Sequence, residues 1–300
     1  MKNINFTSKF KLGNYFSLFL FLTSVLFIIF KGLNYGIDFK GGTLIELKTD
    51  ESIKIKEIRS TLRSLNLGDV NVKEFGKKGD YLIKIEQKTE NNNKLIPTIK
   101  KKLVEKLNAD VNFRRVENVG PKVSAELLQS GIIAISLSLA AMLFYIWVRF
   151  EWQFSIGSII ALFHDVIITL GIFSILSLEI NLSIIAAVLT IVGYSMNDTV
   201  VIYDRIRENL GKYHKLNISE IANLSINETL ARTIITSVTT LLALVSIFIL
   251  GGEILRGFSF AMILGVLIGT YSSIFVASPI LKTFKVSYKT LEKEEEKIVP

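Results

Sequence analysis

An ionisable side chain inside an apolar helix is the residue type best able to do chemistry in a membrane. Burying its charge there costs at least a few kcal/mol, so it is kept for a reason. Asp198 is such a residue. It lies in Val192-Gly193-Tyr194-Ser195-Met196-Asn197-Asp198-Thr199-Val200-Val201, and apolar residues continue to Tyr203. The spacing puts it about four turns into a helix and about 8–9 Å from the helix end, by helical rise. A carboxylate at that depth suits proton binding. The plainer readings are an Asp that snorkels to the interface or caps a helix. Asp165, beside His164, falls near the middle of the preceding apolar stretch. It is either part of a proton pathway, or it and His164 satisfy each other or a Ser/Thr in a helix contact. Arg232 opens the next stretch, followed by Thr233, Thr236, Ser237, Thr239 and Thr240. It is either a snorkelling anchor at a helix end or a counter-charge to Asp198. Protonation of Asp198 would change its pairing with Arg232 and its desolvation cost. That difference can bias a two-state arrangement of helices.

Other chemistries are excluded by composition. The chain has no Cys, which removes disulfides, thiolate catalysis and Cys-ligated zinc. Its 2 His, at 164 and 214, do not make a multi-His metal site. No metal, cofactor or enzymatic activity is expected. The net charge of +8 would suit nucleic acid. Here, however, Lys and Arg flank the apolar blocks rather than clustering with aromatics, so no nucleic-acid partner is expected. Lipid is the expected surrounding.

The elements that must hold these residues are membrane helices. A hydrocarbon core about 30 Å thick needs roughly 20 apolar residues. Six stretches qualify: Asn14 to Phe30, Leu128 to Val148, Phe154 to Leu176, Leu182 to Tyr203, Thr233 to Leu250 and Phe258 to Leu281. The first follows Lys2, Lys9 and Lys11, and its apolar run exceeds a signal-peptide core. It exits through Ile28-Ile29-Phe30-Lys31 without a small-residue cleavage site, so an uncleaved signal anchor is expected. Those lysines, Arg205, Arg207, Lys212, Lys215 and Arg232 between the fourth and fifth spans, and Lys282, Lys285 and Lys289 after the sixth all fall on one side. That side reads as cytoplasmic, with both termini on it. The expected division is a cytoplasmic N-terminus (1–13), a first span (14–30), an external domain (31–127), five spans (128–281) and a charged cytoplasmic tail (282–300). On the sixth span Ala261, Gly265, Gly269 and Ser273 recur every fourth position, a small-residue stripe for helix packing.

Between the first two spans, Gly41 to Thr49, Val70 to Phe75, Tyr81 to Glu86 and Val111 to Val116 read as strands. Glu51 to Leu65 and Asn91 to Leu107 read as helices, with turns at Gly68 and at Gly76 to Asp80. The order βαββαβ predicts a ferredoxin-like α+β domain. It contains no catalytic constellation, and Gly41-Gly42 is too short for a phosphate site. It reads as a binding or lever domain. Gly120-Pro121 then starts the helix of the second span, as a hinge or simply a helix start.

Four stretches resemble one family. Tyr35-Gly36-Ile37-Asp38-Phe39-Lys40-Gly41-Gly42-Thr43 looks like the signature after the first span of the SecD/SecF family. Phe163 to Gly171, Gly193 to Glu208 (with Asn197-Asp198) and Leu230 to Leu241 are similar to the third, fourth and fifth spans of its SecF branch. Order, spacing and span count agree over nearly the whole chain. The resemblance implies a subunit of the bacterial Sec translocase, a transporter half of resistance-nodulation-division type. It implies pairing with SecD, association with the SecYEG translocon, action on a translocating preprotein, and an inner-membrane location. It also implies that Asp198 and Arg232 take part in proton coupling. Protein export follows only from this likeness. The rivals are a small-molecule or lipid exporter half of the same superfamily, and a non-transporting scaffold subunit.

Overall fold

The computed structural model describes residues 4–65, 67, 70–74, 77–86, 95–107, 111–288 and 290. Gly68, Gly76 and residues 91–94 of the expected second domain helix lie outside the described residues. So do Lys2, Lys289 and residues 291–300 of the expected tail. The chain forms two compact units. One comprises residues 1–34, 135–178 and 183–300, and the other residues 35–134 and 179–182.

The first unit is helical. After a 3-10 turn at Thr7–Lys9 come α1 (Phe10–Phe30) and, beyond the second unit, α5 (Pro121–Arg149), α6 (Trp152–Ile175), α7 (Leu182–Lys212), α8 (Ile218–Leu250) and α9 (Gly252–Ser272). The last continues through a π-helical turn at Ser273–Ala277 into α10 (Ser278–Thr283). Among the described residues six helices are long and apolar enough to cross a membrane, the sixth running from Leu255 to Thr283. They fall into two classes. In the α6, α7 and α9–α10 spans 56%, 50% and 56% of the most apolar window is buried within the protein. For the α1, α5 and α8 spans the shares are 17%, 11% and 17%. The second class presents apolar faces such as Leu12, Phe16 and Phe19, or Leu242 and Ile249, a surface suited to lipid.

Two helices differ from their hydropathy. The helix carrying Arg232 starts at Ile218, where Asn217 and Glu220 form a reciprocal capping box. Its first turns are amphipathic, with Ile221, Ala222 and Ile226 buried, so they escape a scan for unbroken apolar runs. The π-turn also has a local cause. Pro279 lacks the N–H that a regular helix would donate to Phe275. Backbone acceptors there are met instead by side chains: Ser278 Oγ donates to Ser273 O at 2.9 Å, and Tyr203 Oη to Ala277 O at 2.9 Å. Gly157 leaves the room that Tyr203 occupies.

The second unit carries β1 (Asn34–Tyr35), the one-turn α2 (Ile37–Lys40), β2 (Gly42–Lys48), α3 (Ile55–Arg63), β3 (Val70–Glu74), β4 (Asp80–Ile85), α4 (Leu95–Leu107), β5 (Asn112–Val119) and β6 (Glu179–Ile180). The four long strands form one sheet in the order β3-β4-β2-β5, every neighbour antiparallel. With α3 and α4 inserted, this is the ferredoxin-like arrangement expected from βαββαβ. Period-two alternation sends Ile45, Leu47, Tyr81, Ile83, Ile85 and Val72 to one face, where Ile58 and Leu62 of α3 and Ile99 and Leu103 of α4 close the core. Tyr81 places its hydroxyl on Ile53 O. Burial, and then the Glu74 and Glu57 carboxylates, push its ionisation above the usual phenol range.

The motif residues Asp38, Gly41 and Gly42 build the entry to this sheet. Gly41 has φ +80° and Gly42 φ +145°, both in the region that favours glycine. A Cβ on Gly42 would sit 2.5 Å from Ile85 O, so β2 can pair with β4 only with glycine there. Asp38 Oδ2 accepts from the Leu182 N–H at 2.9 Å, and Gly36 N–H donates to Ile180 O at 2.8 Å, which ties residues 179–182 into this unit. Gly42→Ala is expected to destabilise the sheet unit by about 1–3 kcal/mol, the usual cost of a non-glycine residue in such a conformation. Gly120→Ala, with open space around it, should be close to neutral. Protease protection of the sheet unit in the membrane-embedded chain measures both, and equal protection of the two variants would contradict the assignment.

Candidate functional site

The first unit buries two carboxylates at the meeting of α6, α7 and α9. Asp165 is 0% exposed and Asp198 2%. Each satisfies its polar atoms by a different means.

Asp165, on α6, gathers donors from three helices. His164 Nδ1 lies 2.8 Å from Oδ1, Ser195 Oγ of α7 donates to Oδ2 at 2.5 Å, and Ser272 Oγ of α9 donates to the same oxygen at 2.7 Å. Its own backbone carbonyl accepts from Thr169 Oγ1 at 2.8 Å. Both carboxyl oxygens are therefore engaged, Oδ2 as an acceptor of two hydroxyls.

Asp198, one turn beyond Ser195 on α7, is met by a single neutral donor, Thr270 Oγ1 of α9, at 3.2 Å from Oδ2. Thr270 Oγ1 lies 2.8 Å from Ser237 Oγ of α8. A hydroxyl has one proton to give. While Thr270 spends its proton on Asp198, the Ser237 proton must point at Thr270. The result is a directed chain, Ser237 to Thr270 to Asp198. Thr233, one turn before Ser237, is buried and its hydroxyl has no protein partner among the described residues.

Arg232 lies about four turns into α8 rather than at its start, and it is exposed. No ion pair of 4.0 Å or less joins it to Asp198 among the described residues. Asn197 is exposed beside Asp198. Thus α6, α7 and α9 bring Asp165 and Asp198 to one layer, Arg232 stands at its edge, and Asp38, Gly41 and Gly42 belong to the other unit. Among the described residues no group of three or more His, Asp or Glu is placed to hold a metal ion.

Glycine makes the layer possible. A Cβ on Gly265 would overlap the Ile191 side chain, and one on Gly269 would sit 3.0 Å from Ser195 Cβ and 3.1 Å from its Cα. Only with these positions bare can α9 approach α7 closely enough for Ser272 and Ser195 to share Asp165. The next position of the stripe, Ser273, meets Thr199 at 2.8 Å between hydroxyls. Sequence reasoning found the carboxylates but did not single out their hydroxyl donors, Ser195, Thr270 and Ser272. Their proximity to Asp198 and to the small-residue stripe was the available signal.

The chain matches the family model for the protein export membrane protein SecD/SecF C-terminal region over residues 99–287, and the model for the SecD/SecF GG motif over residues 26–53. It is 50% identical over 275 residues to the protein translocase subunit SecF of Rickettsia bellii, covering 91% of each chain. It is 46% identical over 295 residues to that of Rickettsia typhi, covering 97% of this chain and 96% of the relative. Among solved structures it resembles SecDF, a translocon-associated membrane protein from Thermus thermophilus, with a TM-score of 0.85 and 34% identity. The match covers 94% of this chain and spans 39% of that one. A super-membrane-facing form of SecDF matches with a TM-score of 0.71 and 33% identity.

Removing the donors one at a time tests the Asp165 cluster. Ser195→Ala and Ser272→Ala should each cost about 1–3 kcal/mol, as for a lost hydrogen bond to a buried charged group. The double variant should cost more than the sum, because Oδ2 then keeps no donor. Unfolding of the purified chain in mixed micelles, followed by helicity, gives the cycle. Strict additivity would show that the two hydroxyls do not share one acceptor.

Proposed function

The chain belongs to the SecD/SecF family of protein-export membrane proteins, and on that premise we propose that it is a proton-coupled subunit of the Sec export machinery. It works with a SecD partner half, beside the SecYEG translocon, and uses the proton gradient to promote late steps of preprotein translocation. The SecF names of its relatives support the export role. That the chain spans 39% of a solved SecDF supports a partner half that supplies the rest.

The observation that carries the coupling is Asp198, a carboxylate 2% exposed in a membrane helix and held by one neutral hydroxyl rather than by an ion pair. A charge so placed is costly unless protonation can remove it. Asp198 binds and releases the proton, Arg232 sets the local potential, and Asp165 lies on the same path. A proton crossing 100 mV releases about 2.3 kcal/mol, worth roughly 50-fold in a rate at about 1.36 kcal/mol per decade.

The chain is proposed to sit in the bacterial inner membrane with both termini in the cytoplasm and the sheet unit outside. Lys9 and Lys11 lie before the first apolar stretch, Arg205, Arg207, Lys212 and Lys215 lie between the fourth and fifth, and Lys282 and Lys285 close the last. This is the asymmetry that fixes orientation.

Asn at 198 keeps an oxygen for Thr270 but cannot ionise. In cells depleted of their own SecF and supplied with this chain and its cognate SecD, Asp198→Asn should slow preprotein export by roughly 10- to 50-fold at matched membrane levels. Export at the wild-type rate would return Asp198 to a structural role and favour a scaffold subunit. Orientation is testable separately, because the chain has no Cys. A membrane-impermeant maleimide added outside should label Lys77→Cys, and Ser8→Cys and Lys285→Cys only after the membrane is opened. The reverse pattern would invert the topology.

A further inference from the structure

We propose that His164 is a second proton-carrying residue of this site, taking up and releasing a proton at Nε2 while Asp165 holds the ring. The inference rests on the proton-coupled reading above and names a group that reading does not use. Two hydroxyls donate to Asp165 Oδ2, Ser195 at 2.5 Å and Ser272 at 2.7 Å. Oδ2 is thereby an acceptor, and with Asp165 ionised the remaining contact, His164 Nδ1 at 2.8 Å from Oδ1, is a donated N–H. That tautomer leaves the lone pair on Nε2. The residue is 5% exposed, and Nε2 itself is buried with no protein partner among the described residues. Unpaired buried polar atoms are uncommon, and each calls for a physical explanation. An imidazole oriented by a carboxylate through Nδ1, with Nε2 free, is the arrangement in which histidine accepts a proton and the carboxylate stabilises the imidazolium. Uptake also lowers the net charge of the buried pair from minus one to zero, so no isolated charge is created in the apolar layer.

Among the described residues no other ion pair reaches the ring. Asp165 is the charged group bonded to the ring. Among the described side chains on the elements packed against α6, the titratable groups are Lys11 and Tyr15 of α1 and Lys282 of α10, all exposed, and Arg256 and Tyr271 of α9. Tyr271 donates to Gly13 O at 2.8 Å. From α7 come Tyr194, Asp198 and Tyr203, and Asp198 keeps its own donor, Thr270. The two stations share their neighbours: Ser195 and Asp198 are one turn apart on α7, and Thr270 and Ser272 are two residues apart on α9.

His164→Asn separates carrying from positioning. Asn retains an N–H where Nδ1 donates to Asp165 and has no second nitrogen. In membrane vesicles containing this chain and its SecD partner, gradient-driven preprotein translocation by the wild type should vary between about pH 5 and 8. His164→Asn should translocate about tenfold more slowly and lose that variation. An Asn variant with the wild-type rate and profile overturns the proposal. If Asp198→Asn abolishes coupling and His164→Asn does not, the proton-coupled reading stands and this inference falls. If neither variant matters, both fall. A direct measurement needs no variant of the dyad. The chain has 2 His, and His214 is exposed and stacked on Tyr288. In His214→Gln, labelled with imidazole nitrogen-15 and reconstituted with unlabelled partner, the single histidine spectrum should show Nδ1 protonated throughout and Nε2 titrating. A ring that stays neutral from about pH 5 to 8 overturns the proposal.

Discussion

No water is at hand inside a hydrocarbon layer, so a polar group there that finds no partner within the protein is costly. The helical unit is organised around that constraint. Asp165 collects a ring nitrogen and two hydroxyls from three helices, while Asp198 takes a hydroxyl from α9. The donors reach their acceptors only because Gly265 and Gly269 let α9 lie against α7. Bulkier residues there would pull apart the contacts that make two buried carboxylates tolerable. The same demand governs the π-turn, whose carbonyls are met by Ser278 and Tyr203.

The constraint also explains why the spans are unlike one another. The α6, α7 and α9–α10 spans hold the polar layer and bury half or more of their apolar windows. The α1, α5 and α8 spans leave most of theirs open, as residues facing lipid can. The sheet unit obeys the opposite solvent. Its four strands alternate, with one face against α3 and α4, and its exacting backbone positions include the Gly41-Gly42 entry to β2 and the turn at Gly79.

Much of this was legible in the sequence because two periodicities dominate it. Apolar runs of about 20 residues mark the spans, and alternation marks the strands. Asp165 and Asp198 stood out since charge in such runs is rare. What the sequence hid depends on tertiary approach or on mixed composition. Hydroxyls in apolar helices look like generic contact residues, so nothing local distinguishes Thr270, which meets a carboxylate, from Thr239, which bonds its own helix at Ile235 O. The first turns of α8 are half polar, so the helix seemed to begin at Arg232 instead of Ile218. The one-turn α2 is too short for any period to register. The π-turn at Ser273–Ala277 was not read from the sequence either, although Pro279 lacks the N–H that a regular helix would use there.

The chain from Ser237 through Thr270 to Asp198 has a polarity set by the carboxylate. A carboxylate draws both hydroxyl protons toward itself, whereas a carboxylic acid becomes a donor and lets the pair turn the other way. Gain of one proton on α7 is thereby recorded as a reorientation of dipoles on α9 and α8, without any helix having to move first. In a wall of otherwise indifferent apolar side chains, that three-group switch is how one helix can learn the charge of another.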